Sequence, residues 1–135
     1  EVRVADPNDA RTFASIHGGS EAWVKRLSLS TTLGGMLEPG NTFYLGYVDG
    51  QPVATLHSLR DGSTAGVYAV GTAKAHRRRG VSSTLMARAI RDAQTAGCDL
   101  VCLSTEAGGY AEGLYAKLGF ERAFESVMWV LLERT

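Results

Sequence analysis

The sequence has few cysteines, no net charge and no long apolar run, and each of these absences excludes a class of protein. Lys and Arg number 14, as do Asp and Glu, so the totals give no sign of a polyanionic partner. No apolar run approaches the roughly 20 residues of a membrane span, and no signal peptide is visible. We therefore expect a cytoplasmic protein with neither a membrane nor a nucleic acid as its partner.

The two cysteines, Cys98 and Cys102, are expected to be free thiols. If Cys102 lies on a strand, four residues of extended chain separate the pair by roughly 13 Å, whereas a disulfide needs Cα atoms within about 7 Å. Free thiols are typical of a reducing compartment. No His, Cys and Asp residues recur at the spacing of metal ligands, so no metal cofactor is implied.

The length of 135 residues fits a single domain over residues 1–135, and 44% hydrophobic residues are enough to bury a core. Glu1 rather than Met opens the chain, which leaves open that it belongs to a longer or tandem protein. There are no internal repeats and no low-complexity linkers.

Changes in hydrophobic period along the chain predict an α+β fold, with helices on the faces of a mostly antiparallel sheet. Asp49-Gly50 is a strong signal for a two-residue hairpin turn, and Asp6-Pro7 is typical of a helix start. The predicted strands are Val2–Val4, Thr42–Val48, Gln51–Leu59, Thr64–Thr72, the buried Leu100–Leu103, Phe120–Phe124 and Val127–Leu132. The predicted helices are Pro7 to Ile16 ended by Gly18-Gly19, one capped by Ser20 and broken at Gly34-Gly35, Val81 to Ala96, and one carrying Ala111 to Leu118.

The segment Arg77 to Ser83 has the chemistry of an anion site, because a basic loop runs directly into a predicted helix. The first amides of a helix have no intrahelical partner, and the helix dipole is positive at that end. Gly80 removes a side chain that would keep a phosphate from the backbone, and arginine suits phosphate better than lysine does. The cluster predicts a pyrophosphate site formed by Arg77, Arg78, Arg79, Gly80, Val81, Ser82 and Ser83. Neither a P-loop nor a dinucleotide-binding fingerprint is present.

Two motifs resemble those of the GNAT superfamily of acyl-CoA-dependent N-acetyltransferases. Arg77-Arg78-Arg79-Gly80-Val81-Ser82 is similar to the [QR]-x-x-G-x-[GA] loop of that family, with Ser82 in the place of Gly or Ala. Leu114-Tyr115-Ala116-Lys117-Leu118-Gly119-Phe120 is similar to its L-Y-x-x-[LH]-G-F block. The two lie about 35 residues apart with a helix and a strand between them, and the resemblance covers roughly residues 42–132.

This resemblance implies a sheet of about six to seven strands, splayed between strands 4 and 5 and flanked by about four helices. It implies acetyl-CoA as co-substrate, with Val70, Gly71 and Thr72 pairing with its pantetheine arm, and direct transfer of the acetyl group to an amine. Tyr115 takes the position of the family's general acid for the leaving thiolate. Gly108-Gly109-Tyr110 stands where many members have an asparagine. We expect a small-molecule acceptor and a monomer or homodimer.

Several alternatives remain open at the level of sequence. The general base could be His57, Tyr68, Glu38 or Glu106. The chain could instead be a catalytically degenerate domain that binds acyl-CoA and regulates another process. A nucleic-acid-binding module using His76 to Arg79 is a third hypothesis, which zero net charge and the lack of a basic stripe with interleaved aromatics disfavour.

Overall fold

Five strands form one mixed sheet, in the same order as they occur along the chain. The computed structural model describes residues 1–17 and 22–131. Neighbouring strands are antiparallel from β1 to β4, whereas β5 runs parallel to β4. The predicted mixed α+β class is therefore confirmed. The strands are β1 (Val2–Val4), β2 (Asn41–Val48), β3 (Gln51–Asp61), β4 (Thr64–Thr72) and β5 (Leu100–Leu103).

The predicted number of helices, four, matches the helices in the described part of the chain. They are α1 (Ala10–His17), α2 (Ala22–Met36), α3 (Val81–Thr95) and α4 (Tyr110–Lys117), and short 3₁₀ turns lie at Pro7–Asp9 and Lys74–His76. The chain divides into two units, Glu1–Ser104 and Thr105–Thr135. The first contains the sheet with α1, α2 and α3, and the second contains α4.

The entry into α1 follows from the residues before it. The Asp6 carboxylate accepts a hydrogen bond from the Asn8 backbone N–H at 2.8 Å, and the Asp9 carboxylate accepts one from the Asp6 N–H at 3.0 Å. Each side chain satisfies a backbone donor that has no partner at a helix start. The predicted start at Asp6-Pro7 is confirmed.

The second helix corrects the predicted break at Gly34-Gly35, because α2 runs through both glycines to Met36. A Cβ on Gly35 would lie 2.8 Å from Cζ of Phe43, which is too close for any side chain. Gly35 therefore allows the helix to approach β2 closely. The predicted cap at Ser20 and the predicted stop at Gly18-Gly19 lie outside the described residues.

The sheet separates two layers of helices. Phe13 of α1 packs edge-on against Phe43 of β2, with ring centroids 5.1 Å apart. On the other face Tyr44 donates a hydrogen bond to Asp92 of α3 at 2.8 Å. Adjacent residues of β2 thus point to opposite faces, as strand geometry requires. We call these the α1 face and the α3 face of the sheet.

The predicted strands Phe120–Phe124 and Val127–Leu132 are wrong for the described residues, since none of residues 118–131 lies in a strand. In the part of the chain that the structure describes, the sheet accordingly has five strands rather than six or seven. Residues 127–131 are apolar but exposed, with Trp129 91% accessible. A strand requires a partner for its backbone N–H and C=O groups. The residue pattern shows a preference for strand conformation, but it does not show whether a partner strand is present.

The β5 strand also differs from its prediction, because it is not buried. Leu100 is 55% exposed and Cys102 is exposed. The strand is exposed because β5 forms an edge of the sheet. Cys98 and Cys102 are both free thiols, as predicted.

The described residues contain neither a membrane-spanning helix nor a cluster of metal ligands. None of their helices has both the length and the apolar character needed to cross a bilayer. The same residues contain no group of three or more His, Cys, Asp and Glu side chains that could hold a metal ion.

Candidate active site

The strand β4 is paired on both sides along only half of its length. Its residues Thr64–Val67, which we call the paired half, form a ladder with β5 as well as with β3. The ladder with β5 ends at Val67 and Leu103. Tyr68–Thr72, which we call the open half, has no partner strand on its β5 side among the described residues. This divergence leaves backbone groups available at the end of the sheet.

The open half also contains a bulge. Thr55 lies opposite Gly71 and His57 opposite Tyr68, so Ala69 and Val70 together face the single residue Leu56. Ala69 has a φ of 53°, a left-handed conformation that L-residues other than Asn and Asp seldom adopt. The hydroxyl of Thr55, which is fully buried, donates to the Ala69 carbonyl at 2.8 Å. Bulges of this kind re-aim backbone groups and are frequent beside active sites.

The N-terminus of α3 presents unpaired amides next to an exposed basic loop. The helix begins at Val81 after Gly80, whose φ of 75° is readily available only to glycine, and no side chain caps it. Its first amides, on Val81, Ser82 and Ser83, have no intrahelical acceptor. Within residues 1–17 and 22–131, nothing lies within 4 Å of the place where a Gly80 Cβ would be, so these residues leave room for an anion there. Arg77, Arg78 and Arg79 are exposed on the preceding loop.

Two hydrogen bonds connect this helix start to the end of β4. The Thr72 and Ser82 hydroxyls are 2.6 Å apart, and Arg77 Nε donates to the Thr72 carbonyl at 3.0 Å. The structure therefore brings together the predicted residues of the open half (Val70, Gly71 and Thr72) and those of the basic loop and helix start. Ser82, the departure from the family pattern, contributes the side chain that joins them.

On the α1 face an aromatic cluster surrounds His57 of β3. Its ring stacks on Phe43 with centroids 4.1 Å apart and planes at 4°, and lies 5.7 Å from the Tyr68 ring. His17 approaches from the end of α1, where its Cα would lie 4.0 Å from a Cβ on Gly71. Two histidines and a tyrosine thus lie beside the bulge.

The His57 ring is held in one tautomer by Asn41. Nε2 lies 2.6 Å from Asn41 Oδ1, and the Asn41 Nδ2 group, on the other side of the amide, donates a long hydrogen bond to the Glu38 carbonyl at 3.4 Å. An amide oxygen only accepts, so Nε2 carries the proton and Nδ1 keeps its lone pair. Burial, with a smaller contribution from His17, lowers the pKa of His57 to about 4, and the ring is neutral at physiological pH.

The second unit contains Tyr115 on α4. This side chain is buried, and its ring centroid lies 6.0 Å from that of Phe120. Burial raises the pKa of Tyr115, so its hydroxyl keeps its proton at neutral pH. In the same unit Glu112 accepts hydrogen bonds from the Gly108 amide at 2.5 Å and from Arg122 Nε at 2.9 Å. These contacts stabilise the turn that begins α4.

The four candidate bases occupy different surroundings. His57 and Tyr68 lie in the α1-face cluster, Glu38 contributes its backbone carbonyl to the Asn41 contact, and Glu106 lies in the second unit. Sequence reasoning missed Asn41, Thr55, Ala69 and His17. No local pattern marks these residues, because their roles depend on strand register and on where α1 ends.

Comparisons with known proteins agree with this architecture. The family model described as "Acetyltransferase (GNAT) family" matches residues 10–120. A transcriptional regulator from Bacillus halodurans C-125 is similar in structure, with a TM-score of 0.81 and 22% identity over 97% of this chain and 99% of that one. A putative acetyltransferase from Agrobacterium tumefaciens str. C58 has a TM-score of 0.80 and 24% identity over 97% and 99% of the two chains.

A third similar structure contains a ligand. AAC(6')-Iy, in complex with the bisubstrate analogue CoA-S-monomethyl-acetylneamine, has a TM-score of 0.81 and 14% identity over 98% of this chain and 97% of that one. At these identities the similar structures establish the fold. No curated protein matches the sequence.

Proposed function

The chain belongs to the acetyltransferase (GNAT) family, and on this premise we propose that it moves an acetyl group from acetyl-CoA to the primary amine of a small molecule by direct transfer. One observation carries the proposal. The open half of β4 and the uncapped start of α3 are joined through the Thr72 and Ser82 hydroxyls, 2.6 Å apart. Backbone groups for a pantetheine arm and amides for a pyrophosphate are therefore adjacent.

The residues of the helix start fit a pyrophosphate. Free amides at the N-terminus of a helix bind anions, and no described residue fills the place of a Gly80 side chain. Arg77, Arg78 and Arg79 supply positive charge at the same loop. When bound, acetyl-CoA supplies the acetyl group as a thioester. Backbone groups of Val70, Gly71 and Thr72 hold its pantetheine arm in this proposal.

The bulge supplies the activating group. A backbone N–H of Val70 or Gly71 donates to the carbonyl oxygen of the thioester, where negative charge develops as an amine attacks. The Thr55 hydroxyl supports that geometry through the Ala69 carbonyl. Much of the rate then comes from holding the two reactants together. Tyr115 remains the proposed acid for the thiolate, on the resemblance of residues 114–120 to the family block.

A small-molecule acceptor is supported by the neamine-derived ligand of AAC(6')-Iy. The alternative is a degenerate domain that binds acetyl-CoA without catalysis. Gly108-Gly109 in the place of the family's asparagine favours that alternative. Both hypotheses require cofactor binding, and only the first requires turnover.

Isothermal titration with acetyl-CoA, CoA and ATP tests the shared requirement. We expect micromolar affinity for acetyl-CoA and much weaker binding of ATP. Release of free thiol is then measured with neamine, spermidine and a lysine-containing peptide. Binding with no turnover of any amine would favour the degenerate domain, and no binding at all would contradict the cofactor site.

A further inference from the structure

The function proposed above leaves one proton without an acceptor. As the new N–C bond forms, the amine nitrogen becomes positively charged and must lose a proton, while the C–S bond breaks and its electron pair leaves with sulfur. The thiolate receives a proton from the proposed acid, Tyr115. A separate group has to take the proton from nitrogen.

The α1-face cluster holds an unprotonated nitrogen beside the bulge. Nδ1 of His57 is unprotonated, because Nε2 donates to Asn41 Oδ1 at 2.6 Å. No hydrogen-bond donor to Nδ1 occurs in residues 1–17 and 22–131. A lone pair on a partly buried imidazole, held in place by stacking on Phe43, is consequently available.

His57 lies next to the bulge, where the thioester carbonyl is proposed to bind. It pairs with Tyr68, the residue immediately before the bulge at Ala69 and Val70. The cofactor phosphates are proposed to bind at the start of α3, which packs on the opposite face of the sheet from α1. An amine that approaches from the α1 face would meet the bulge with His57 beside it.

We propose that His57 is the general base of this acetyl transfer, and that Asn41 is a positioning residue which fixes its tautomer. Nδ1 takes the proton from the acceptor nitrogen, and the imidazolium later returns it to water. The inference rests on the proposed function. The proposal selects His57 from the four candidate bases. Among them, within the described residues, only His57 has an oriented lone pair and also lies beside the bulge.

The pH dependence follows from the groups that face His57. These are His17 from α1 and Tyr68 from β4, while Asn41 and Phe43 of β2 do not titrate. A base acts only when unprotonated, so the pKa of about 4 places its acid limb near that pH. In Asn41→Asp a carboxylate would face Nε2 and raise the pKa of His57. Activity should then fall as the pH drops toward 5, where the wild type remains active.

The test measures kcat and kcat/KM against pH for the wild type, His57→Gln and Asn41→Asp, with neamine or whichever panel amine reacts fastest, and the acid limb is read from kcat/KM because this ratio reports ionisations of the free enzyme. We expect kcat of His57→Gln to fall by about a hundredfold or more with acetyl-CoA affinity unchanged. The acid limb of Asn41→Asp should move up by about one pH unit or more. Thermal denaturation of each variant checks folding, and Asn41→Asp remains informative if His57→Gln does not fold.

The outcomes separate the two proposals. If the wild type transfers acetyl to some amine while His57→Gln is as fast, or while the acid limb of Asn41→Asp stays in place, the assignment of His57 is overturned. If the wild type neither binds acetyl-CoA nor acetylates any amine, the proposed function itself fails before any variant is compared.

Discussion

The two halves of β4 both pair with β3, but they differ in backbone conformation, in burial and in what lies on the β5 side. The paired half, Thr64–Val67, has strands on both sides and buries Ala65 and Val67. The open half, Tyr68–Thr72, contains a left-handed alanine, ends beside an uncapped helix and bears an exposed tyrosine. The first half contributes to stability, and the second leaves groups unsatisfied that a ligand can satisfy. Such local departures from ideal geometry concentrate at functional sites.

The largest expected effect is a loss of acetyl-CoA affinity when a negative charge is placed beyond the open half of β4, compared with the same charge placed before the paired half. Gly80→Glu would put a carboxylate at the start of α3, beyond the open half, where it would clash with the cofactor phosphates. We expect affinity for acetyl-CoA to fall by at least about a hundredfold, because like charges in contact cost several kcal/mol. Isothermal titration measures the loss.

Gly62→Glu is the matched control for that substitution. Gly62 lies in the turn before the paired half, has a φ of 60° and has no atom of a described residue within 4 Å of its Cβ position, so the backbone strain resembles that at Gly80. Its affinity for acetyl-CoA should match that of the wild type. Equal affinity in both variants would remove the phosphate site from the start of α3.

Tyr115→Phe tests whether an acid separate from the open half protonates the leaving thiolate, while backbone groups of the open half activate the thioester. Loss of the hydroxyl should lower kcat by roughly ten- to a thousandfold, in the range of a lost general acid, and leave acetyl-CoA affinity unchanged. Steady-state kinetics and titration measure the two quantities. Tyr110→Phe on the same helix should keep kcat near the wild-type value, and full activity of Tyr115→Phe would exclude Tyr115 from the mechanism.

Thr55→Val removes the hydroxyl that supports the bulge while keeping the shape of the side chain. The Ala69 carbonyl would lose its donor, which a valine methyl group cannot replace, and this should lower the free energy of unfolding by about 1–3 kcal/mol. Urea denaturation measures the change. Ser58→Ala, opposite Val67 in the paired half, should cost less. A Thr55→Val protein as stable as the wild type would show that the bulge does not depend on this hydrogen bond.

The sequence predicted those features around β4 that depend on residues close together in the chain. Asp49-Gly50 marked the hairpin turn, and both residues have positive φ in the structure. The helix start after Gly80 was equally readable, because a glycine and a change of period occur together. These signals lie within a few residues of the feature that they predict.

Features that depend on distant residues could not be predicted. Alanine carries no preference for a left-handed conformation, so Ala69 gave no sign of the bulge, which arises from the register of β3 against β4. Asn41 and His57 are 16 residues apart and meet only because β2 and β3 pair as they do. Gly35 reads as a helix breaker in the sequence, yet it lies within α2, where Phe43 of β2 leaves no space for a side chain. Residues 120–131 have a sequence typical of strands, but a strand also needs a neighbouring strand to pair with, and the local sequence does not show whether one is present.

The smallest expected effect is the difference in stability between glycine variants at two alanines of β4. In Ala69→Gly the relief of left-handed strain, about 1–2 kcal/mol for an L-residue, opposes the entropy that glycine loses on folding, about 0.5–1 kcal/mol, and the loss of a partly buried methyl group packed against Phe13, Phe43 and Leu45. The variant should therefore lie within about 0.5 kcal/mol of the wild type, as measured by urea denaturation. Ala65→Gly in the paired half relieves no strain and removes a buried methyl group, so it should cost about 1–2 kcal/mol. Equal losses at both positions would mean that Ala69 is not strained, and the contrast between the halves would then rest on pairing alone.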